Sequence, residues 1–253
     1  MISTGTFLER IAPRIMDMSG MELAGPGLYT FLNPHTYMMH RGTDLPLETF
    51  RGIFVDGLTL VAALRATGVK RVRRCSFDMG SLAPRVFSFA QERGRSLFLI
   101  GTEPDLIPKA VMNIREEYPD VDLVGYRHGY FTGKGERKKV AQAIAGEAPD
   151  MVVVGMGAPL QERFLLDLRE AGWEGTGFTC GGFLHQAAVR LRYYPSLANR
   201  LQLRWVVRMS REPKIVVRVL RYYPPFLLAF LRDVRSLPHG RSTQGDRDPT
   251  REG

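Results

Sequence analysis

A β-branched run that ends in two glycines and is followed by an amide and a carboxylate can bind an anion and position it. Met151-Val-Val-Val-Gly155-Met-Gly157-Ala-Pro159-Leu-Gln161-Glu162 is such a string. Met151 to Val154 reads as a buried strand of a parallel sheet. Gly155 and Gly157 let the backbone turn sharply and come close to a ligand, and Pro159 follows. In open α/β sheets the crevice at this end binds ligands, and backbone N–H groups at the next helix start favour anions such as a diphosphate. Gln161 and Glu162 would then supply an amide and a carboxylate beside it. The alternative is an ordinary strand-to-helix turn with two solvated polar residues.

Asp56 is the second candidate. It ends the run Ile53-Phe54-Val55, where an α/β sheet places reactive groups, and Gly57 leaves room for a substrate. A carboxylate there could take a proton from an acceptor hydroxyl. The competing reading is an Asp-Gly turn.

The elements that must position these residues alternate. Strands are expected at Gly27 to Leu32, Ile53 to Val55, Ser96 to Ile100, Val121 to Tyr126, Met151 to Gly155 and Gly177 to Cys180. Helices are expected at Leu58 to Thr67, Pro84 to Arg93, from the Gly101-Thr-Glu-Pro-Asp turn to Glu117, Lys138 to Ala145 and Leu160 to Ala171. This alternation predicts an α/β fold: a Rossmann-like parallel sheet with helices on both faces, whose strand order is not readable.

From Tyr193 the character changes. Residues 190 to 221 hold nine arginines and lysines against the single acid Glu212, in a chain of net charge +9. Arg200, Arg204, Arg208 and Arg211 are spaced to share one helical face, and Lys214, Arg218 and Arg221 repeat the spacing after Pro213. Leu201, Trp205 and Met209 form an apolar stripe beside them, followed by a plug at Phe226 to Leu231. We therefore expect a core at 20–195, a basic amphipathic helical appendage at 196–235 and a disordered tail at 236–253. Such an appendage suits an anionic membrane surface, and Arg208, Arg211 and Arg218 could grip a diphosphate bidentately. Nucleic-acid binding through the same charge and its aromatic residues is the alternative reading.

Composition excludes other classes. Cys75 and Cys180 are too few for a disulfide scaffold and have no metal-ligand spacing around them. Asp120-Val-Asp122 falls at the entry of a strand and Asp246-Arg-Asp248 in the tail, so neither suits a nucleotide-bound metal. No metal and no cofactor are expected. Met1 to Gly20 reads as no signal peptide, and no run is long enough to span a bilayer. The expected location is the cytosol, with peripheral contact at a membrane surface. Self-association is left open.

Gly157-Ala-Pro159-Leu-Gln161-Glu162 resembles the Gly-x-Pro-x-Gln-Glu motif of the WecG/TagA/CpsF glycosyltransferases. Further landmarks follow in that family's order: Asn33-Pro34, Asp56-Gly57, Arg73 with Asp78, Phe98 to Gly101, Tyr118-Pro119, Gly129-Tyr130-Phe131, Gly181-Gly182 and Trp205 with Glu212-Pro213. The resemblance covers roughly residues 28 to 222. It implies an inverting transferase moving a sugar from a UDP-sugar to a polyprenyl-diphosphate-linked saccharide in surface polysaccharide synthesis. It implies Asp56 as the base, Asn33 on sugar hydroxyls and Arg73 on an anionic group, with Gly155, Gly157, Pro159, Gln161, Glu162, Gly181 and Gly182 around the donor. Phe31 stands where the family has threonine, Ser76 where it has glycine, and His185 where it has aspartate. An imidazole replaces a hydrogen-bond acceptor but not a fixed negative charge. His185 is therefore left out of catalysis.

Overall fold

The structure, a computed structural model, describes residues 5–21, 23–69, 72–191 and 214–235. Among these residues six strands form one sheet: β1 (Gly27–Leu32), β2 (Gly52–Val55), β3 (Leu97–Gly101), β4 (Leu123–Arg127), β5 (Met151–Gly155) and β6 (Thr176–Thr179). The order is β2-β1-β6-β5-β3-β4, and every pairing is parallel. Central strands of such a sheet are buried on both faces, which is why they read as unbroken apolar runs. β5 shows it: Val152 and Val154 join one core, Met151 and Val153 the other.

Among the described residues, nine α-helices pack on the two faces. They are α1 (Phe7–Ile11), α2 (Pro34–Arg41), α3 (Leu58–Ala66), α4 (Ala83–Glu92), α5 (Ile107–Glu117), α6 (Lys134–Glu147), α7 (Leu160–Glu170), α8 (Phe183–Val189) and α9 (Lys214–Arg235). α4, α5 and α8 cover one face over Tyr29, Phe54, Leu99 and Phe178. α1, α2, α3, α6, α7 and α9 cover the other over Leu32, Val55, Ile100 and Val154. The expected doubly covered sheet is observed, and it supplies the strand order that the sequence left open.

That order creates a crevice. From β3 the chain crosses through α5 toward β4; from β5 it crosses through α7 toward β6, in the opposite direction and on the opposite face. β3 and β5 are neighbours, so their following segments diverge and leave a gap at the carboxyl ends, the usual ligand position in such sheets.

Three α-helices were not anticipated, α1, α2 and α8. Asn33 caps α2, accepting a hydrogen bond from Thr36 N at 3.0 Å while Thr36 Oγ1 returns one from Asn33 N at 2.9 Å, with Pro34 in the first turn. α8 follows Gly181-Gly182 directly. At the C-terminal end, α9 is one helix of 22 residues running through Pro224 and Pro225. Phe226, Ala229, Phe230 and Asp233 form its buried stripe at helical spacing. Both phenylalanines pack on Tyr37, at 5.3 and 5.9 Å between ring centroids, inside the same core as α1 and α2. The expected plug at Phe226 to Leu231 is therefore divided, with Phe226 and Phe230 inward and Leu227, Leu228 and Leu231 exposed. Residues 196–213 and 236–253, with Arg208 and Arg211, lie outside the described residues, as does the side chain of Arg218.

Candidate active site

The carboxyl edge of the sheet gathers most of the candidate residues. Asp56 follows β2, and its backbone N–H donates to the Leu32 carbonyl at 2.7 Å, drawing the ends of β1 and β2 together. Gly57 adopts φ +123°, and a Cβ there would stand 3.7 Å from both Asn33 Cβ and Pro34 Cδ. Asn33, Asp56 and Gly57 are thus neighbours. Asn33 Oδ1 already serves the α2 cap.

The arginine beside Asp56 is Arg74, not Arg73. Val55 bridges Arg74 in parallel fashion, which aims that side chain at the carboxylate, and Arg74 Nη2 lies 3.2 Å from Asp56 Oδ1. Successive side chains of an extended segment point to opposite sides, and Arg73 is exposed. Its charge instead helps Ser19 hold the Asp17 carboxyl below the usual range, with the Ser19 hydrogen bond the larger influence. Asp78 organises the following turn, accepting from Ser76 Oγ at 2.6 Å and Gly80 N at 2.8 Å. The last described helix also reaches this end. Tyr222 meets His35 at 4.4 Å between ring centroids. Burial, and then the Asp56 charge, push the Tyr223 phenol up.

The crevice between β3 and β5 lies further along the edge. Gly101 and Gly155 pair across the strands, and a Cβ on Gly101 would fall 2.3 Å from the Gly155 carbonyl oxygen. Thr102 follows with φ 54°, an uncommon conformation for a β-branched residue and a mark of functional sites. Its N–H donates to Gly155 O at 3.1 Å, and its carbonyl accepts from Gly129 N at 3.0 Å. Here opens a cleft of about 380 Å³ lined by Thr102, Tyr130, Phe131, Arg137, Met156 and Leu160 among others. Arg137 is buried, its Nε donates to Asp167, and its Nη2 has no acceptor among the described residues. Aromatic walls with one cation suit a nucleotide. His185 stands at the mouth, 3.2 Å from Glu103 Oε2 and 3.5 Å from Thr102 Oγ1.

A second cavity of about 330 Å³ lies at the other end of the sheet, among Gly25, Pro26, Asp150, Trp173 and Glu174. These residues precede the strands, where no strand-end turn faces a ligand. Asp120 and Asp122 precede β4 at that same end.

The Gly155 to Glu162 string closes the crevice from below. Gly157 has φ +76° and the Ala158–Pro159 bond is cis. Gln161 is buried, and its Oε1 accepts from Gly181 N at 3.1 Å. Glu162 is 0% exposed. Its Oε1 accepts from Thr30 Oγ1 at 2.8 Å and Gln161 Nε2 at 3.0 Å, with His40 Nε2 at 3.5 Å. Burial alone would raise this carboxyl, but those hydrogen bonds and the imidazole outweigh it and hold the pKa below its ordinary value. The sequence reading placed the Glu162 carboxylate beside the ligand. The structure places it beneath the crevice floor, because the first turn of α7 directs it between β1, β6 and α2.

Thr30, His40, Thr102, Arg74 and Arg137 were missed. Thr30 and His40 look like interior residues of a strand and a helix, and Arg74 was one of four adjacent basic residues. Only Arg137 carries a signal, an arginine on the apolar side of a helix.

The chain matches, over residues 5–239, the model of the glycosyl transferase WecG/TagA/CpsF family. It is 30% identical over 207 residues, 82% of this chain and 86% of the other, to a UDP-Gal:alpha-D-GlcNAc-diphosphoundecaprenol beta-1,4-galactosyltransferase of Shigella boydii. It is 29% identical over 191 residues, 75% of this chain and 72% of the other, to an N-acetylglucosaminyldiphosphoundecaprenol N-acetyl-beta-D-mannosaminyltransferase of Bacillus subtilis (strain 168). The edge described above therefore lies in a chain that belongs to the WecG/TagA/CpsF family of glycosyltransferases.

Proposed function

We propose that this glycosyltransferase moves a sugar from a UDP-sugar to a polyprenyl-diphosphate-linked saccharide, with inversion. The observation that carries the reading is the layout of one sheet edge. A nucleotide-sized cleft sits at β3/β5 and a carboxylate, Asp56, at β2. Three strand spacings separate β2 from β5, about 14 Å at the usual interval. A sugar diphosphate can bridge that span, crossing the ends of β6 and β1 where Gly181, Gly182 and Asn33 stand. Asp56 then takes the proton from the acceptor hydroxyl as it attacks the anomeric carbon, and the bond to the diphosphate breaks, releasing UDP. The names of the relatives support a polyprenyl-diphosphate-linked acceptor.

The acceptor lipid requires a membrane surface. No helix among the described residues is long and apolar enough to cross a membrane. α9, however, exposes Val217, Leu220, Leu227, Leu228 and Leu231 in a stripe opposite its buried face. Among arginines, such a stripe suits peripheral docking at an anionic interface.

The test is a donor screen with the full-length protein, a panel of UDP-sugars and a polyprenyl-diphosphate-GlcNAc acceptor. Transfer from one UDP-sugar, with release of UDP, is the expected result. Failure with every UDP-sugar, and no stabilisation by UDP, would overturn the reading.

A further inference from the structure

A chain of buried contacts runs beneath the crevice floor, and its first member is not free to choose its orientation. The Gln161 side chain has an oxygen that only accepts and a nitrogen that only donates. On one side it meets the Gly181 N–H, a donor, at 3.1 Å; on the other it meets Glu162 Oε1, an acceptor, at 3.0 Å. Reversing the amide would set donor against donor and oxygen against oxygen. The carboxylate therefore decides which way the amide lies, and the amide decides where Gly181 lies.

We propose that Glu162 is a positioning residue: acting through Gln161, it holds the Gly181–Gly182 turn in the form that receives the donor diphosphate. Gly181 has φ +55°, a conformation most residues avoid, and the Gln161 oxygen holds its N–H in that turn. The turn also borders the crevice glycines, since a Cβ on Gly155 would stand 3.1 Å from Gly181 O. Glu162 is itself fixed from three elements. Thr30 of β1 donates to it and meets Thr179 of β6 at 3.0 Å, while His40 of α2 stands behind. Thr30, His40, Gln161, Glu162 and Thr179 are all buried, in a layer otherwise built of aliphatic and aromatic side chains. Glu162 Oε2 and the His40 nitrogens form no hydrogen bond among the described residues, so the two bonds to Oε1 fix the geometry of this island.

The inference rests on the donor reading for its binding readout only. The experiment compares Glu162→Met, which keeps volume and removes the acceptor, with Glu162→Gln, Gln161→Ala and the Glu162→Met/Gln161→Ala double variant. Hydrogen exchange at the Gly181 amide and the Kd for UDP are measured for each. Glu162→Met is expected to speed Gly181 exchange and weaken UDP about tenfold, and Glu162→Gln to recover most of both. In the Gln161→Ala background Glu162→Met should change the UDP Kd by less than about twofold, because its effect passes through the missing amide. An equal loss in both backgrounds, or unchanged Gly181 exchange, would overturn the proposal. If Glu162→Met does not fold, Gln161→Ala alone decides, and unchanged Gly181 exchange in that variant overturns the proposal. Should the wild type bind no UDP, the donor reading fails on its own and Gly181 exchange alone decides this proposal.

Discussion

Arg41 and Asp233 form a bidentate ion pair that clasps α9 to α2. Arg41 Nε lies 3.2 and 3.1 Å from the two carboxylate oxygens and Nη2 lies 3.0 Å from Oδ1. The Tyr37 hydroxyl donates to Asp233 Oδ2 at 2.6 Å. The clasp fixes the register of the helix that carries Tyr222 and Tyr223 to the Asp56 end of the sheet. Burial, and then Asp233, push the Tyr37 phenol far up, so it remains a donor throughout the working range.

Asp233→Ala should therefore cost about 2–4 kcal/mol, since it strands a buried hydroxyl and a half-buried guanidinium together. Tyr37→Phe, which removes one donor and leaves the ion pair, should cost about 1 kcal/mol. Denaturant unfolding measures both. A cost for Asp233→Ala no larger than that for Tyr37→Phe would show that the clasp does not hold α9.

Asp56→Asn should abolish most transfer while UDP still binds. The change keeps shape and removes basicity, and general-base help is worth roughly 10²–10⁴-fold. Near-normal turnover would take Asp56 out of the mechanism. Arg74→Met, which frees the carboxylate to rotate, should give a smaller loss in kcat than Asp56→Asn.

Arg137→Lys should weaken UDP roughly tenfold, comparable to one hydrogen bond from a charged donor at about 1.5–3 kcal/mol. Lysine retains a charge for Asp167 but loses the guanidinium fork. Calorimetry with UDP reads the change, and an unaltered Kd would mean that the nucleotide lies elsewhere.

Glu162 also makes stability depend on pH. Its pKa is lower in the folded chain than the ordinary 4.5. The stabilisation it provides is thus fully present above that value and is lost as the pH falls through the lower, folded value. Glu162→Gln should destabilise the protein at pH 7, and the gap from wild type should narrow below about pH 4. Thermal unfolding from pH 7 to pH 3 tests it; a constant gap would contradict the assignment.

Leu220→Asp together with Leu228→Asp should leave the fold intact, as both side chains are exposed, and abolish sedimentation with anionic liposomes. The wild type should bind them in a salt-sensitive manner, each nearby Lys or Arg contributing about 1 kcal/mol. These substitutions test docking better than removing residues 196 onward, which would also strip Phe226 and Phe230 from the core. Undiminished liposome binding would rule out the α9 stripe as the docking face.

Strands of this fold are legible because burial on both faces leaves an unmistakable apolar run; Gly27–Leu32 and Met151–Gly155 read with their observed bounds. Their order is not legible, since Tyr29 pairs with Gly52 and Phe178 through packing that no local pattern encodes. α2 was hidden because Asn33-Pro34 fits both a strand-end turn and a helix start. Thr36, three residues after the cap, was the signal that separates them. The candidate site was legible as to which turns form it and less so as to which side chains face it. Arg73 came from the family pattern alone, and the register that turns Arg74 to Asp56 and leaves Arg73 exposed is not encoded in four adjacent basic residues. Glu162 was read as facing the ligand, because nothing in Gln161-Glu162 reveals its buried neighbours Thr30, His40 and Gln161.

The backbone contact between Gly101 and Gly155 bears on how such an enzyme can diversify. Any side chain at 101 would meet the Gly155 carbonyl at 2.3 Å, so neither position can vary in step with a new donor. On the proposed donor path, changes of sugar preference would instead be written in the ring of side chains at the Asp56 end, at Asn33, Arg74 and Tyr223, while Thr102, Tyr130 and Met156 surround the nucleotide. A mutational library confined to that ring would sample new specificities while leaving the pivot of the sheet untouched.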